Sequence, residues 1–232
     1  MQQNLLVVIP AYNEAESLPH ILTALQEYGY AAVVIDDAST DNTAAVAEQF
    51  GATVLRLPVR IGAWCATQTG LHYGVMHNKG VFVCMDADAQ HPVQYIPELL
   101  NVLESSAADM VVASDRSRGG ALRQITRNAL RFLAGLTVYD ITSGFRVMTG
   151  DVAKLLSAEE MALLDYQDIG PLCKLNEQGM TVTEYPVSFK PRQYGESRIF
   201  GGIFSIADYM LQSFLLAVGG ATYRASQRTL KR

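Results

Sequence analysis

Basic residues are in the minority in this 232-residue chain: 18 Lys and Arg stand against 23 Asp and Glu, for a net charge of −5 and a pI near 5.4. That balance gives no electrostatic footprint for wrapping duplex nucleic acid, which is excluded as a partner. Cysteine is scarce as well. Cys65, Cys84 and Cys173 are odd in number and form no CxxC pair, so they read as reduced thiols of a cytoplasmic protein rather than a disulfide framework. Long apolar runs are missing. The best membrane candidate, 203–220, is interrupted by Asp208 and Gln212 and is too short for the ~20 apolar residues that span a bilayer. The start, MQQNLLVVIP, has neither a basic n-region nor an extended apolar h-region, so no signal peptide is expected. No GxGxxG follows the first apolar run and no GxxxxGK[ST] occurs anywhere; a phosphate, if bound, must be held without a Rossmann fingerprint or a P-loop. The four histidines show no HxxxH or HExxH spacing, and His91 reads as a helix-entry residue rather than a metal ligand.

What is present is 49% hydrophobic sequence, enough for one large domain with a substantial core. In the first half, short β-branched runs alternate with helical patterns. Strands are expected at 5–9, 32–35, 53–57, 81–85 and 110–113, and helices at 17–28, 41–50, 65–76 and 92–104, with Ser17 opening the first helix and Pro92 the last. Strand and helix in alternation, without hairpin signals, predict an α/β fold with a mostly parallel sheet flanked by helices. From about Arg116 the pattern loosens, with a helical stretch around 151–178 and a strand at 181–187. No internal repeat or low-complexity linker divides the chain.

In such sheets, ligands sit at the carboxyl ends of the strands. Polar residues concentrate there: strand one ends in PAYNE, strand two in DDASTDNT and strand four in DADAQHP. Along an extended segment, side chains at every second position share a side at roughly 6–7 Å spacing. Asp86, Asp88 and Gln90 would then converge oxygen ligands on a hard cation, Mg²⁺ or Mn²⁺, leaving positions for water and substrate phosphate. Such a cation would neutralise charge on a diphosphate leaving group. The plainer alternative is that one aspartate caps the helix opening at Pro92 and the other is solvated. Tyr12 offers a flat ring for a nucleobase or for loop packing. Asp36 and Asp37 offer acceptors to a base or ribose, or ordinary helix caps.

Anionic substrates also need positive charge, and guanidinium forks bind phosphate bidentately. Arg116, Arg127, Arg146, Arg192 and Arg198 lie in irregular or segment-end contexts by pattern; Arg118, Arg123 and Arg131 read as surface charges. Apolar residues recur at helical spacing over 203–218, followed by Arg224, Arg228, Lys231 and Arg232 without an acid. This amphipathic helix and basic tail can lie on an anionic membrane surface or pack on the domain.

With these residues placed, the sequence resembles the inverting family 2 glycosyltransferases of the GT-A fold, and within them the dolichol-phosphate mannosyltransferase and polyprenyl-phosphate glycosyltransferase branch. VVIPAYNE and DDASTDNT carry the broad likeness; DADAQHP, DITSGFR and PRQYGESR carry that to the branch. The resemblance implies that Pro10, Tyr12, Glu14 and Asp37 hold the nucleotide, and that Asp86, Asp88 and Gln90 hold the metal and diphosphate, with Asp88 counted as catalytic. It implies that Arg116, Arg127, Ser143, Arg192 and Arg198 surround the diphosphate and acceptor phosphate. It divides one GT-A domain, 1–232, into a Rossmann-like donor half (1–115), an acceptor half (116–200) and a C-terminal amphipathic helix with basic tail (201–232). The implied donor is a nucleoside diphosphate sugar of the GDP-mannose or UDP-glucose class. The implied acceptor is a polyprenyl phosphate at the cytosolic face of a membrane. Asp168 sits where relatives with hydroxyl acceptors carry a catalytic aspartate, so a saccharide acceptor stays open, as does nucleotide-sugar binding without turnover.

Overall fold

The computed structural model describes residues 4–117, 121–163 and 169–191, the side chains of 121–123, 125–127 and 163 excepted. In chain order the elements are β1 (Leu5–Ala11), α1 (Leu18–Glu27), β2 (Ala32–Asp36), α2 (Thr43–Gln49), β3 (Thr53–Arg56), α3 (Ala63–Met76), β4 (Val81–Cys84), α4 (Ile96–Ser105), β5 (Met110–Ser114), α5 (Ala121–Ala134), β6 (Arg146–Thr149), α6 (Gly150–Leu156), α7 (Ile169–Glu177) and β7 (Val182–Pro186). Short 3₁₀ turns stand at Val93–Tyr95 and Glu159–Leu163.

Among the described residues one seven-stranded sheet runs β3-β2-β1-β4-β6-β5-β7. β1, β2, β3 and β4 are mutually parallel, as are β5 and β7. β6 is inserted antiparallel between β4 and β5. The run LLVVIPA has no polar alternation because both faces of β1 are covered. Leu5, Val7 and Ile9 face a core with α1 and α4, whereas Leu6 and Val8 face one built from α3, α6 and α7.

The expected first-half elements are present with edges moved by a residue or two, except that the helix expected from Pro92 starts at Ile96, the residues between forming the 3₁₀ turn at Val93–Tyr95. Ser17 precedes α1, but its hydroxyl donates to the Glu14 carbonyl and carboxylate instead of capping the helix. α3 starts two residues early because Gly62, at φ +88°, turns the chain into it. Three stretches correct the expectation beyond Arg116. Residues 121–134 form a helix, so Arg127 lies in regular structure rather than an irregular segment. Arg146 opens a buried strand. The stretch at 151–178 is not one helix but α6, a 3₁₀ turn and α7.

α3 approaches the sheet through two glycines one helical turn apart. A Cβ on Gly70 would lie 2.6 Å from the Ile35 Cδ1 and collide with Val8; one on Gly74 would lie 2.7 Å from the Leu6 Cδ2 and collide with the Phe82 ring. Overpacking of this kind costs about 1–3 kcal/mol, against about 1 kcal/mol regained in helix propensity. Gly74→Ala is therefore expected to lower the melting temperature by several degrees, at about 2–4 °C per kcal/mol in a domain of this size, and an unchanged melt would contradict the close approach.

Candidate active site

The three parallel strands β1, β2 and β4 each end in a residue held in the left-handed region soon afterwards: Asn13 (φ 53°), Ala38 (φ 58°) and Ala89 (φ 60°). Left-handed backbone costs a non-glycine residue about 1–3 kcal/mol and gathers at functional sites. Here it turns three loops over one sheet edge.

The β1 and β2 loops are bonded to each other. The Asn13 amide donates to the Ser39 Oγ at 2.9 Å, the Thr40 amide to the Asn13 Oδ1 at 2.7 Å, and the Glu14 amide to the Thr43 Oγ1 at 2.8 Å. Asp41 braces the same junction. Burial pushes its carboxyl up, but hydrogen bonds from the Thr43 hydroxyl and amide and from the Ala15 amide outweigh this and hold it below its ordinary value. Its contribution to stability is thus present above the ordinary carboxylate range and lost as pH falls through the lowered pKa.

Asp37 is 3% exposed. Its Oδ1 accepts from the Ile61 amide at 2.7 Å and its Oδ2 from the Gly62 amide at 2.9 Å. Each oxygen keeps a second acceptor direction, but the carboxylate's structural work is to tie the loop before α3 to the end of β2. That loop carries Arg60, whose guanidinium carbon lies 4.1 Å from the centre of the Tyr12 ring. Pro10, Tyr12 and Glu14 are all half-buried at the β1 end.

The β4 end differs from the expected extended run. Residues 87–89 turn, so Asp86, Asp88 and Gln90 do not alternate along a strand. The Gln90 amide donates to the Asp88 Oδ1 at 3.1 Å, closing the turn around Asp88, which is 8% exposed. Asp86 is more open, its side chain 40% exposed. The helix-cap alternative is not what forms: α4 is preceded by Tyr95 and carries no side-chain cap. His91 is a buried strut. Its Nδ1 accepts the Asp86 amide at 2.9 Å, which places the proton of the neutral ring on Nε2, and the ring stacks on Phe145 at 5.2 Å.

Among the described residues no three His, Cys, Asp or Glu side chains cluster as a metal cage. Two carboxylates and an amide on one turn nevertheless fit Mg²⁺ or Mn²⁺, which are commonly bound through one or two carboxylates and complete their shell with water and substrate phosphate. The site's far side comes from β5 and β7. The Asp115 Oδ1 accepts from the Ser117 amide and hydroxyl, and its Oδ2 from the Phe189 amide at 3.0 Å. The Lys190 amide donates to the Gln90 carbonyl, and the Gln90 Nε2 returns a bond to the Lys190 carbonyl at 3.3 Å. The chain leaving β7 is thereby laid against the β4 turn. Glu184 accepts the Tyr139 and Asp140 amides at 2.6 and 2.7 Å, and its other oxygen stands 3.9 Å from Arg116, which lies over the Tyr139 ring. Nothing in the sequence singled out Glu184; a lone acid in a strand has no distinguishing spacing.

Arg116 is open to solvent. Ser143, expected beside the diphosphate, is 4% exposed and accepts the Phe145 amide. Arg146, read with the phosphate-binding arginines, is inside the protein: 2% exposed, its Nε donates to the Ser143 carbonyl and its Nη2 to the Ile141 carbonyl. Cys84 beside it is inert, burial pushing its thiol up to about 12 against the pull of the Arg146 charge. The Arg127 side chain, Asp168, Arg192, Arg198 and the expected amphipathic helix at 203–218 lie outside the described residues.

A parallel-strand edge bearing paired carboxylates, with one antiparallel strand inserted in the sheet, is the GT-A glycosyltransferase architecture. Solved structures agree: the fold matches glucosyl-3-phosphoglycerate synthase from Mycobacterium tuberculosis in complex with Mn²⁺, UDP-glucose and phosphoglyceric acid, at a TM-score of 0.71 and 20% identity over 93% of this chain and 79% of that one. The sequence pattern of glycosyl transferase family 2 matches residues 6–153, and the chain belongs to that family of glycosyltransferases. It is 31% identical over 216 residues to an undecaprenyl-phosphate mannosyltransferase of Micrococcus luteus, covering 85% of this chain and 88% of that protein. It is 27% identical over 237 residues to a polyprenol monophosphomannose synthase of Mycolicibacterium smegmatis, covering 92% and 89%.

Proposed function

We propose that this protein transfers a hexose, mannose in the first instance, from a nucleoside diphosphate sugar to a polyprenyl phosphate with inversion at the anomeric carbon. The observation that carries the reading is the likeness to two relatives named for polyprenyl-phosphate mannosylation, over nearly the full length of each. The β1 and β2 loops with Pro10, Tyr12, Glu14 and Asp37 would hold the nucleotide. Asp86, Asp88 and Gln90 would hold Mg²⁺ or Mn²⁺, which would supply neutralisation of charge on the departing diphosphate. Arg116 would serve the phosphates from the β5 side, with Arg127, Arg192 and Arg198 from the acceptor half.

An oxygen of the acceptor phosphate bonds to the anomeric carbon as the bond to the nucleoside diphosphate breaks, the nucleoside diphosphate leaving with the electron pair. The acceptor is already anionic, so positioning and charge stabilisation suffice and no general base is required. No described helix is long and apolar enough to cross a membrane; the amphipathic 203–218 stretch and the basic tail would bring the protein to the cytosolic face where such a lipid is found.

The test is incubation of the full chain with Mn²⁺, a short-chain polyprenyl phosphate and radiolabelled GDP-mannose, with UDP-glucose in parallel. Butanol-extractable label is expected, and the donor that gives it fixes the base and sugar. Label appearing only in water-soluble saccharide, or no transfer at all, would overturn the reading.

A further inference from the structure

The sheet edge is rich in acid: Asp36 ends β2, and Glu14, Asp37, Asp86, Asp88 and Asp115 follow the ends of their strands. Among the described residues on its β1–β2 flank, Arg60 is an exposed cation that makes no ion pair, whereas Arg56 nearby is paired with Glu48 at 3.0 Å. Its position is not that of a loose loop residue. The two amides that follow it are both held by the buried Asp37 carboxylate, and Asp37 is itself fixed by its amide, which donates to the Ala11 carbonyl at 2.8 Å. The backbone at Arg60 is therefore registered against the end of β1, and the guanidinium plane is delivered over the Tyr12 ring at 4.1 Å.

A planar, weakly hydrated cation stacks on aromatic faces, those of nucleobases included. Only the side chain of Arg60 need lift for a base to enter, because its backbone is anchored and its head is in solvent. We propose that Arg60 is a further donor-binding residue, closing over the nucleobase so that the base is enclosed between its guanidinium and the Tyr12 ring. This rests on the donor reading above, since it is the nucleotide that places a base at Tyr12. The gain comes from the plane and polarisability of the group and not from its charge alone, which distinguishes it from a phosphate-binding arginine.

Titration calorimetry with Mn²⁺ and GDP, UDP, GMP or UMP tests it. Arg60→Ala is expected to raise the Kd of the preferred diphosphate about tenfold, the equivalent of about 1.4 kcal/mol, and that of the matching monophosphate by the same factor. Arg60→Lys is expected not to restore binding. The exposed site predicts unchanged melting temperatures, so a folding defect does not confound the comparison. Wild-type affinity in Arg60→Ala, or full rescue by lysine, would overturn the proposal. If the wild-type protein bound neither diphosphate, the donor reading itself would fall and this inference with it; binding by wild type and Arg60→Ala alike would sink only the role of Arg60.

Discussion

Asp88→Asn is expected to reduce metal-dependent turnover about a thousandfold while leaving the melting temperature within a few degrees of wild type. The magnitude follows from the several kcal/mol that a Lewis-acidic cation contributes to transition-state charge stabilisation, about 4 kcal/mol being about a thousandfold in rate. Asparagine is the informative replacement. The Asp88 Oδ1 closes its turn by accepting the Gln90 amide, and an amide oxygen in the same place keeps that bond while removing the charge. Alanine would also lose the turn, at about 1 kcal/mol, and confuse a folding effect with a catalytic one. Activity and Mn²⁺ titrations on Asp88→Asn and Asp86→Asn separate the two aspartates: a residual rate that saturates at higher Mn²⁺ marks weakened metal binding. Turnover at the wild-type level, with unchanged Mn²⁺ dependence, would remove Asp88 from the metal site.

The first half of the fold was readable because β1 to β5 and α1 to α4 alternate without interruption, and strands buried on both faces appear as continuous apolar runs such as LLVVIPA. The strand-end principle then located the polar loops correctly at one sheet edge. α5 is hard to read although Arg123, Arg127 and Arg131 recur every fourth residue, because their charge is a stronger signal than their helical period. β6 is hard to read because four residues opened by an arginine do not resemble a central strand, and its antiparallel insertion has no local signature.

At the site, the residue types were readable and their geometry was not. Alternation along an extended chain assumes β backbone, and nothing in DADAQHP announces that Ala89 adopts φ 60°. The grip of Asp37 on Ile61 and Gly62 spans 24 and 25 residues and ends on backbone amides, which carry no side-chain pattern to read. Arg146 shows the same limit from the other direction: it looks like a phosphate ligand in the sequence and is spent on backbone carbonyls in the interior. His91 reads as a helix-entry residue, and its ring instead accepts the Asp86 amide inside the protein.

Arg146→Met is expected to destabilise the protein by about 3–5 kcal/mol, the cost of breaking one side of a buried polar network. At about 2–4 °C per kcal/mol for a domain of this size, the melting temperature should fall by about 6–20 °C. Methionine fills much the same length of apolar space, so the loss comes from the carbonyls of Ser143 and Ile141, which accept from the guanidinium at 2.8 and 3.2 Å inside a site 2% exposed. An unmet buried acceptor costs about 1–3 kcal/mol. Lysine should recover part of this at most, because a single ammonium cannot reproduce the two directions of the fork. The consequence reaches function through the backbone: the 141–146 turn presses Phe145 against His91, and the His91 Nδ1 receives the Asp86 amide. Loosening that turn should therefore weaken Mn²⁺ binding as well as lower the melt, although Arg146 itself is too buried to meet a ligand. Thermal melts and Mn²⁺ titrations on the same variant check both halves. A melt within 2 °C of wild type would show that the carbonyls find other donors, and a lowered melt with normal Mn²⁺ affinity would break the proposed link from the buried arginine to the β4 turn.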